Sequence, residues 1–308
     1  MRFTVPPAFE GRTVRDFLRA TGVSASLSAR LKRRENGILL CGERVTVRAV
    51  LHAGDVLELA VEDESANDRI LPVELPIEVL AETEDYIAVN KPAGMPTHPS
   101  HGHFADTLAN ALAFRYRREP TPLCPRFVNR LDRGTSGVVL VARHALSAAA
   151  LSRAMAKGQI EKEYLAVAEG ELTAPETIRT GIRRREKSII FREVCPVGQG
   201  DLAVTHVTPL IAAGGLTLLC LRPETGRTHQ LRVQLAAAGH PLYGDGLYGR
   251  EAADLPHHAL HAAKLRFSHP VTGDMIGIYA PLPPDLDRLI VERMGREAAE
   301  IATRFCRT

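Results

Sequence analysis

The chain has 308 residues, of which 45% are hydrophobic and 24% charged, an ordinary balance for a soluble globular protein of about two domains. Its five cysteines (Cys41, Cys124, Cys195, Cys220 and Cys306) are scattered without CxxC spacing, which argues against a disulfide framework or a zinc knuckle. No run approaches the ~20 apolar residues of a membrane span and no secretory leader pattern opens the chain, so a cytoplasmic protein is expected.

The net charge of +3 is mild, but it is unevenly distributed. Between Gly11 and Val50 nine basic residues face three acidic ones, an excess of six. Such clustering marks either a phosphate footprint or a solvated helix face, and charge alone does not choose. Residues Arg12 to Ala20 read as a helix with Val14, Phe17 and Leu18 at helical spacing. A second helix is predicted from Ser26 to Arg34, capped by Ser24 or Ser26, with Leu27 and Leu31 on one face. Gly37 to Val45 reads as a hairpin turning at Gly42, and Val56 to Leu59 as an alternating strand after a Gly54-Asp55 turn.

The polar, acidic stretch Glu62 to Asp68 has no periodicity and reads as a linker. The expected organisation is a small basic unit at 1–62, a linker at 63–71 and a larger domain at 72–308. Strands are predicted in the larger domain at Ile77–Ala81, Tyr86–Asn90, Val138–Ala142, Tyr164–Ala168 and Leu216–Leu221. Helices are predicted at Thr107–Tyr116, Ala145–Lys157, Gln230–Ala238 and, as one element, Pro284–Phe305, the last with Leu286, Ile290, Met294 and Ile301 inward. The order is not a βαβ repeat, so the fold class is α+β with a mixed sheet.

The densest chemistry lies at Phe127 to Ala142, where Asp132 sits between two apolar stretches, flanked by Arg130 and Arg133 and followed by Gly134-Thr135-Ser136-Gly137. A sheltered carboxylate beside guanidiniums stays ionised and is a competent nucleophile or base. A turn-capping Asp bonded to the Thr135 or Ser136 amide is the favoured reading of these residues alone. Gly244 to Gly249 fits GxGxxG, but no strand runs into it and no βαβ unit surrounds it, so loop glycines suffice. His98, His101 and His103 cluster, as do His257, His258 and His261. No carboxylate or Cys completes either set, and no metal is expected.

Four segments, taken in order, resemble the RluA-type family of pseudouridine synthases. They are Asn90 to Pro96 with His98-Pro99; Arg130-Leu131-Asp132 with Thr135-Ser136-Gly137; Lys162 to Ala166; and Gly226 to Val233 through Gly239 to Asp245. Asn129 and Gln234 stand where relatives usually carry His. The resemblance implies isomerisation of RNA uridine to pseudouridine on a mostly antiparallel sheet, without cofactor or metal. It implies Asp132 as the carboxylate, Arg227 as its ion-pair partner and Tyr164 stacked on the base within reach of its proton. It further implies Leu231 as an apolar wall, Lys162 in the substrate site and Arg130 in the space the base vacates. Residues 1–62 resemble a small RNA-binding domain of the S-four type, whose Arg30, Lys32, Arg33 and Arg34 would meet phosphates. The expected partner is RNA, ribosomal RNA before transfer RNA, and a monomer is the default. The competing classes are a non-catalytic RNA-binding factor and a glycoside hydrolase; the latter needs a second carboxylate about 5–10 Å from the first.

Overall fold

The computed structural model describes residues 1–61, 70–117 and 124–307. The predicted linker therefore lies almost wholly outside the described residues.

The first unit opens with β1 (Arg2–Thr4), α1 (Val14–Ala20) and α2 (Ala25–Arg33), followed by β2 (Ile38–Leu40), β3 (Glu43–Arg44) and β4 (Val56–Leu59). Its strands form a sheet of order β1-β4-β2-β3. Helix α1 starts two residues later than the periodicity predicts, because Thr13 and Asp16 form a reciprocal capping box. Of the two candidate caps for α2, Ser24 is the one that accepts the Leu27 amide. The hairpin turns at Cys41-Gly42, both with positive φ, the conformation a tight two-residue hairpin demands. Val14, Phe17, Leu27, Leu31, Leu57 and neighbours make a separate apolar cluster, and Leu146 from the larger body completes it.

The larger body contains β5 (Glu78–Glu82), β6 (Tyr86–Lys91), α3 (Leu108–Tyr116), β7 (Arg126–Phe127), β8 (Ser136–Ala142) and α4 (Ala145–Ala156). There follow β9 (Glu161–Glu169), β10 (Glu176–Arg184), β11 (Arg192–Cys195), β12 (Asp201–Ala213), β13 (Leu216–Pro223) and α5 (Gln230–Ala237). The chain closes with β14 (Leu260–Ser268), β15 (Met275–Tyr279), α6 (Pro284–Met294) and α7 (Arg296–Phe305). One sheet runs β11-β10-β12-β13-β9-β14-β8-β6-β5, with β15 beside β14 and β7 beside β8. The fold is α+β, and every strand pair of this sheet is antiparallel except β14 with β8.

Two expectations are corrected here. The last stretch is two helices, not one: Gly295 adopts φ +90°, which ends α6 and redirects the chain into α7. Strands β10, β11, β12, β14 and β15 were absent from the sequence reading. Their basic or mixed composition hides the period of two, as in Glu176–Arg184, where only Gly181 and Ile182 are buried.

The parallel junction fixes where chemistry can sit. Ser136 and Gly137 at the start of β8 face His261 and Ala262 of β14. Ala262 in turn faces Tyr164 of β9. Gly137, Ala262 and Tyr164 therefore form a row across three strands, directly after the Asp132 loop. Gly137 has φ +110°, and a Cβ there would lie 2.2 Å from the Ala262 carbonyl oxygen. Replacing Gly137 with Ala should thus cost about 2 kcal/mol or more of stability, read as a lowered urea midpoint; an unchanged midpoint would show the junction to be compliant.

Candidate active site

Asp132 lies at the rim of a cavity of about 530 Å³ that is also lined by Arg130, Lys162, Tyr164, Arg227, Leu231 and Arg232. The structure thus brings the sequence-predicted catalytic-domain residues to one place. A wider groove of about 2230 Å³ meets it at Asp132 and Arg130 and is lined further by His98, Arg133 and Arg192. The Asp132 backbone makes the turn, its carbonyl accepting the Thr135 amide at 3.1 Å. The side chain is left for other work, which removes the turn-cap reading.

The expected ion pair is corrected. Asp132 pairs with Arg232, not with Arg227: Arg232 Nη1 donates to Asp132 Oδ2 at 3.1 Å. Arg227 is exposed in the turn before α5 and directs its Nε to the Leu202 carbonyl at 3.0 Å. Arg232 lies within α5, one helical turn past the αL residue His229, and so points inward. The helix start decides between the two arginines. Gln230 fixes that start: its Oε1 accepts the Arg227 amide at 3.0 Å and the Thr225 hydroxyl at 2.8 Å.

A second carboxylate, overlooked in the sequence, orients Arg232. Asp245 has a fully buried side chain and receives Arg232 Nε and Nη2 at 2.7 Å each. It also accepts the Leu247 amide at 3.0 Å. The glycine-rich Gly244 to Gly249 segment is thus the loop that presents this carboxylate. A two-point fork sets the guanidinium plane, leaving its remaining N–H aimed at Asp132. Burial works against the Arg232 charge, but Asp245 and then Asp132 more than offset it and hold its pKa up. Asp245 is itself held below the usual carboxylate range, Arg232 outweighing its burial. Enclosed and doubly bonded, Asp245 cannot act as the exposed second carboxylate a glycosidase needs.

The Asp132 segment is held from behind. Thr97 Oγ1 donates to the Leu131 carbonyl at 2.9 Å and receives the Leu131 amide at 3.3 Å. Lys91 has no exposed surface; its Nζ reaches the carbonyls of Pro92, Met95 and Arg133 at 2.8, 2.7 and 3.3 Å. Burial pulls its pKa down to about 7, against the pull of the Asp132 charge. His258 bonds the Thr135 hydroxyl at 2.7 Å and His261 the Ser136 hydroxyl at 2.9 Å. Three other histidines raised as metal candidates also have contacts: His257 with Asp285, His103 with Asp106, and His98 packed edge-on against Phe127. Among the described residues no group of His, Cys, Asp or Glu is arranged to hold a metal ion.

The remaining side chains divide between floor and rim. Tyr164, beside the junction, has its pKa raised by burial and by the Asp132 charge, so its hydroxyl stays protonated at neutral pH. Leu231, 7% exposed, walls the cavity. Lys162 Nζ lies 3.5 Å from the Thr225 carbonyl, and burial lowers its pKa. Arg130 is exposed on the rim and donates to Thr228 Oγ1 at 3.1 Å. Asn129 replaces the usual His with an amide that mimics a peptide group: it donates to Val138 O at 3.1 Å and accepts from Leu140 N at 2.7 Å. Gln234 is buried and bonds Thr205, Thr180 and Ala203, tying α5 to β10 and β12.

With this geometry in place, comparison with known proteins is specific. The profile of the RNA pseudouridylate synthase family matches residues 85–237. The uncharacterized RNA pseudouridine synthase YjbO of Bacillus subtilis is 37% identical, over 90% of this chain and 98% of its own length. The chain belongs to the RNA pseudouridine synthase family. Ribosomal large subunit pseudouridine synthase D of Vibrio cholerae is 36% identical to this synthase, over 82% of each protein. Among solved structures, human RNA pseudouridylate synthase domain containing 1 is similar with a TM-score of 0.55 and 28% identity, across 69% of this synthase and 87% of the human chain.

The basic N-terminal residues are arranged differently from expectation. Arg30 and Arg34 turn guanidinium groups back to the carbonyls of Val61 and Ala60, while Lys32 and Arg33 are exposed. Two of the four expected phosphate contacts thus also brace the end of their own unit. No described helix is long and apolar enough to cross a membrane.

Two predictions follow from these contacts. R232K should reduce kcat by on the order of 10²-fold with KM little changed, because the fork that aims the charge is lost. R227K should act mainly on KM, and single-turnover rates separate the two; equal kcat losses would return Arg227 to the carboxylate. The second concerns pH. His261 is buried, and its pKa falls from 6.5 to about 4 in the folded state. The unfolded chain binds the extra proton first, so this contribution is present above pH 6.5 and is lost as pH falls toward about 4. The loss is about 3 kcal/mol, and H261Q should flatten the urea-midpoint profile across that window. An unaltered profile would assign the acid sensitivity elsewhere.

Proposed function

We propose that this synthase acts on uridines of large-subunit ribosomal RNA, with Asp132 as the carboxylate that works on the nucleotide. The observation that carries the Asp132 role is its divided environment. Oδ2 is held by Arg232, whereas Oδ1 takes no hydrogen bond from the described residues, and the residue lines the cavity. A carboxylate oriented through one oxygen, with the other unencumbered, is ready to attack or to accept a proton. The relatives named for the large ribosomal subunit support the choice of RNA.

The reaction breaks the bond between ribose C1′ and uracil N1 and forms one from C1′ to C5. The C5 proton leaves and N1 gains one, so nothing is oxidised and no group comes from outside. The side chains needed are therefore those of this chain. Asp132 works beside the sugar and base, with Arg232 orienting it. Tyr164 offers its ring face to the uracil and its protonated hydroxyl as a donor. Leu231 closes the apolar side of the cavity, which keeps the detached base from water. Lys162 supplies a cation at the cavity wall, and Arg227 one at its mouth.

A base must leave its stack to enter such a cavity. Arg130, exposed where the cavity and groove meet, is placed to fill the space left behind. The groove supplies Arg133 and Arg192 for flanking phosphates. Residues 1–62 act as an accessory RNA-binding unit, in which Lys32 and Arg33 add salt-dependent affinity.

The test treats unmodified large-subunit ribosomal RNA with purified wild-type protein and with D132N, then maps pseudouridine chemically. Wild type should install pseudouridine at discrete positions, and D132N at none. Equal maps for the two proteins would remove Asp132 from the chemistry; no product with wild type would remove this RNA as substrate.

A further inference from the structure

The loop joining β10 to β11 is not used by the proposed reaction, yet its composition and position are unusual. Residues 183–193 hold five basic side chains (Arg183, Arg184, Arg185, Lys187 and Arg192) against two acidic ones. At its tip two β-branched apolar residues stand in water, Ile189 at 82% and Ile190 at 56% exposure. The loop is built to hold them there. Ser188 Oγ accepts the amides of Ile190 at 3.2 Å and Phe191 at 2.9 Å, and the Arg185 amide donates to the Phe191 carbonyl at 3.0 Å.

The tip is also tied to the catalytic centre. The Tyr248 hydroxyl accepts the Arg192 amide at 2.9 Å and lies 2.9 Å from His229 Nδ1. His229 Nε2 in turn lies 3.9 Å from Asp132 Oδ2. Phe191 packs edge-on against Tyr248. Ile190 and Arg192 line the groove that reaches Asp132 and Arg130. Arg183, Arg184 and Arg192 meet Arg130 and Arg227 around a second hollow of about 380 Å³.

We propose that this hairpin is an RNA wedge: Ile189 and Ile190 insert into the base stack beside the target uridine while the surrounding arginines hold the flanking phosphates. The proposal rests on the RNA-modifying reading of the site and adds how the base is freed. Stiff apolar side chains are suited to parting stacked bases, because few rotamers are lost on insertion. The guanidiniums supply the charge complement that a polyanion requires and an apolar protein partner would not. The bonds from the Arg192 amide to Tyr248 and between Tyr248 and His229 anchor the hairpin beside the groove that reaches Asp132, so a base displaced there lies next to the cavity.

The test uses the full chain and a synthetic RNA hairpin whose stem carries a mismatched uridine next to 2-aminopurine, a base that fluoresces when unstacked. Wild type should raise the emission on binding. I189T/I190T, which keeps the β-branch at two exposed positions, should bind with little change in affinity and leave the emission low. A rise equal in both proteins, or a rise in neither, overturns the wedge. This readout needs no turnover, so it is independent of whether large-subunit ribosomal RNA is the substrate. On whichever RNA the wild type modifies, the double variant should be slower by about tenfold when the RNA is folded and unaffected on the single-stranded fragment. Equal slowing on both would likewise count against unstacking.

Discussion

The site depends on one guanidinium shared between two carboxylates. Arg232 is bound through a two-point fork to Asp245, which is wholly enclosed, and through its third nitrogen to Asp132, which is partly open to the cavity. A buried charge is tolerated only where it is paired and hydrogen-bonded. Asp245 meets that condition for Arg232, and Arg232 then orients Asp132 without enclosing it. Helix α5 must start at Gln230 and stay in place for this to work. Gln230 and Gln234 accordingly bond to Val204, Thr205, Thr180 and Ala203 in the adjoining strands.

The opposite side of Asp132 is fixed by segments far away in sequence. Lys91 and Thr97 hold the backbone of Leu131 and Arg133, and His258 and His261 hold the hydroxyls of Thr135 and Ser136. All four are buried polar groups with partners, so they act as rigid fasteners rather than as adaptable contacts. A catalytic group on a loop gains precision when its supports sit on sheet strands. Here the parallel β8 and β14 pair is that foundation. The same logic applies to His257, His258 and His261, whose ring nitrogens are committed to the Asp285 carboxylate and to the Thr135 and Ser136 hydroxyls.

Much of the site was legible because its residues are grouped in short segments. Arg130, Asp132 and the glycine turn are contiguous, and Tyr164 opens a continuous apolar run that reads as a strand. Leu231 falls on a helix that periodicity also finds. The segments quoted from the sequence contained Lys91, His229, Arg232 and Asp245 as well, but nothing in their spacing revealed their roles. Asp245 stood among glycines that mimic a nucleotide loop, and Lys91 carried no signal beyond its place in the Asn90 to Pro96 segment. Burial, invisible in one dimension, is what makes both of them structural charges.

Through four ordered segments and the resemblance they carry, the sequence by itself determined the reaction class and pointed to Asp132 as the carboxylate, while local residue order placed the main helices. Tertiary structure decided which arginine serves Asp132. Arg227 and Arg232 are five positions apart and chemically alike; the first lies in a turn before α5 and the second inside it, and only the helix start turns one of them toward the carboxylate. Structure likewise decided that the last apolar stretch breaks at Gly295 and that two isoleucines among arginines stand exposed beside the groove. Those facts depend on backbone conformation and on neighbours contributed by distant strands, and the linear order of residues carries neither.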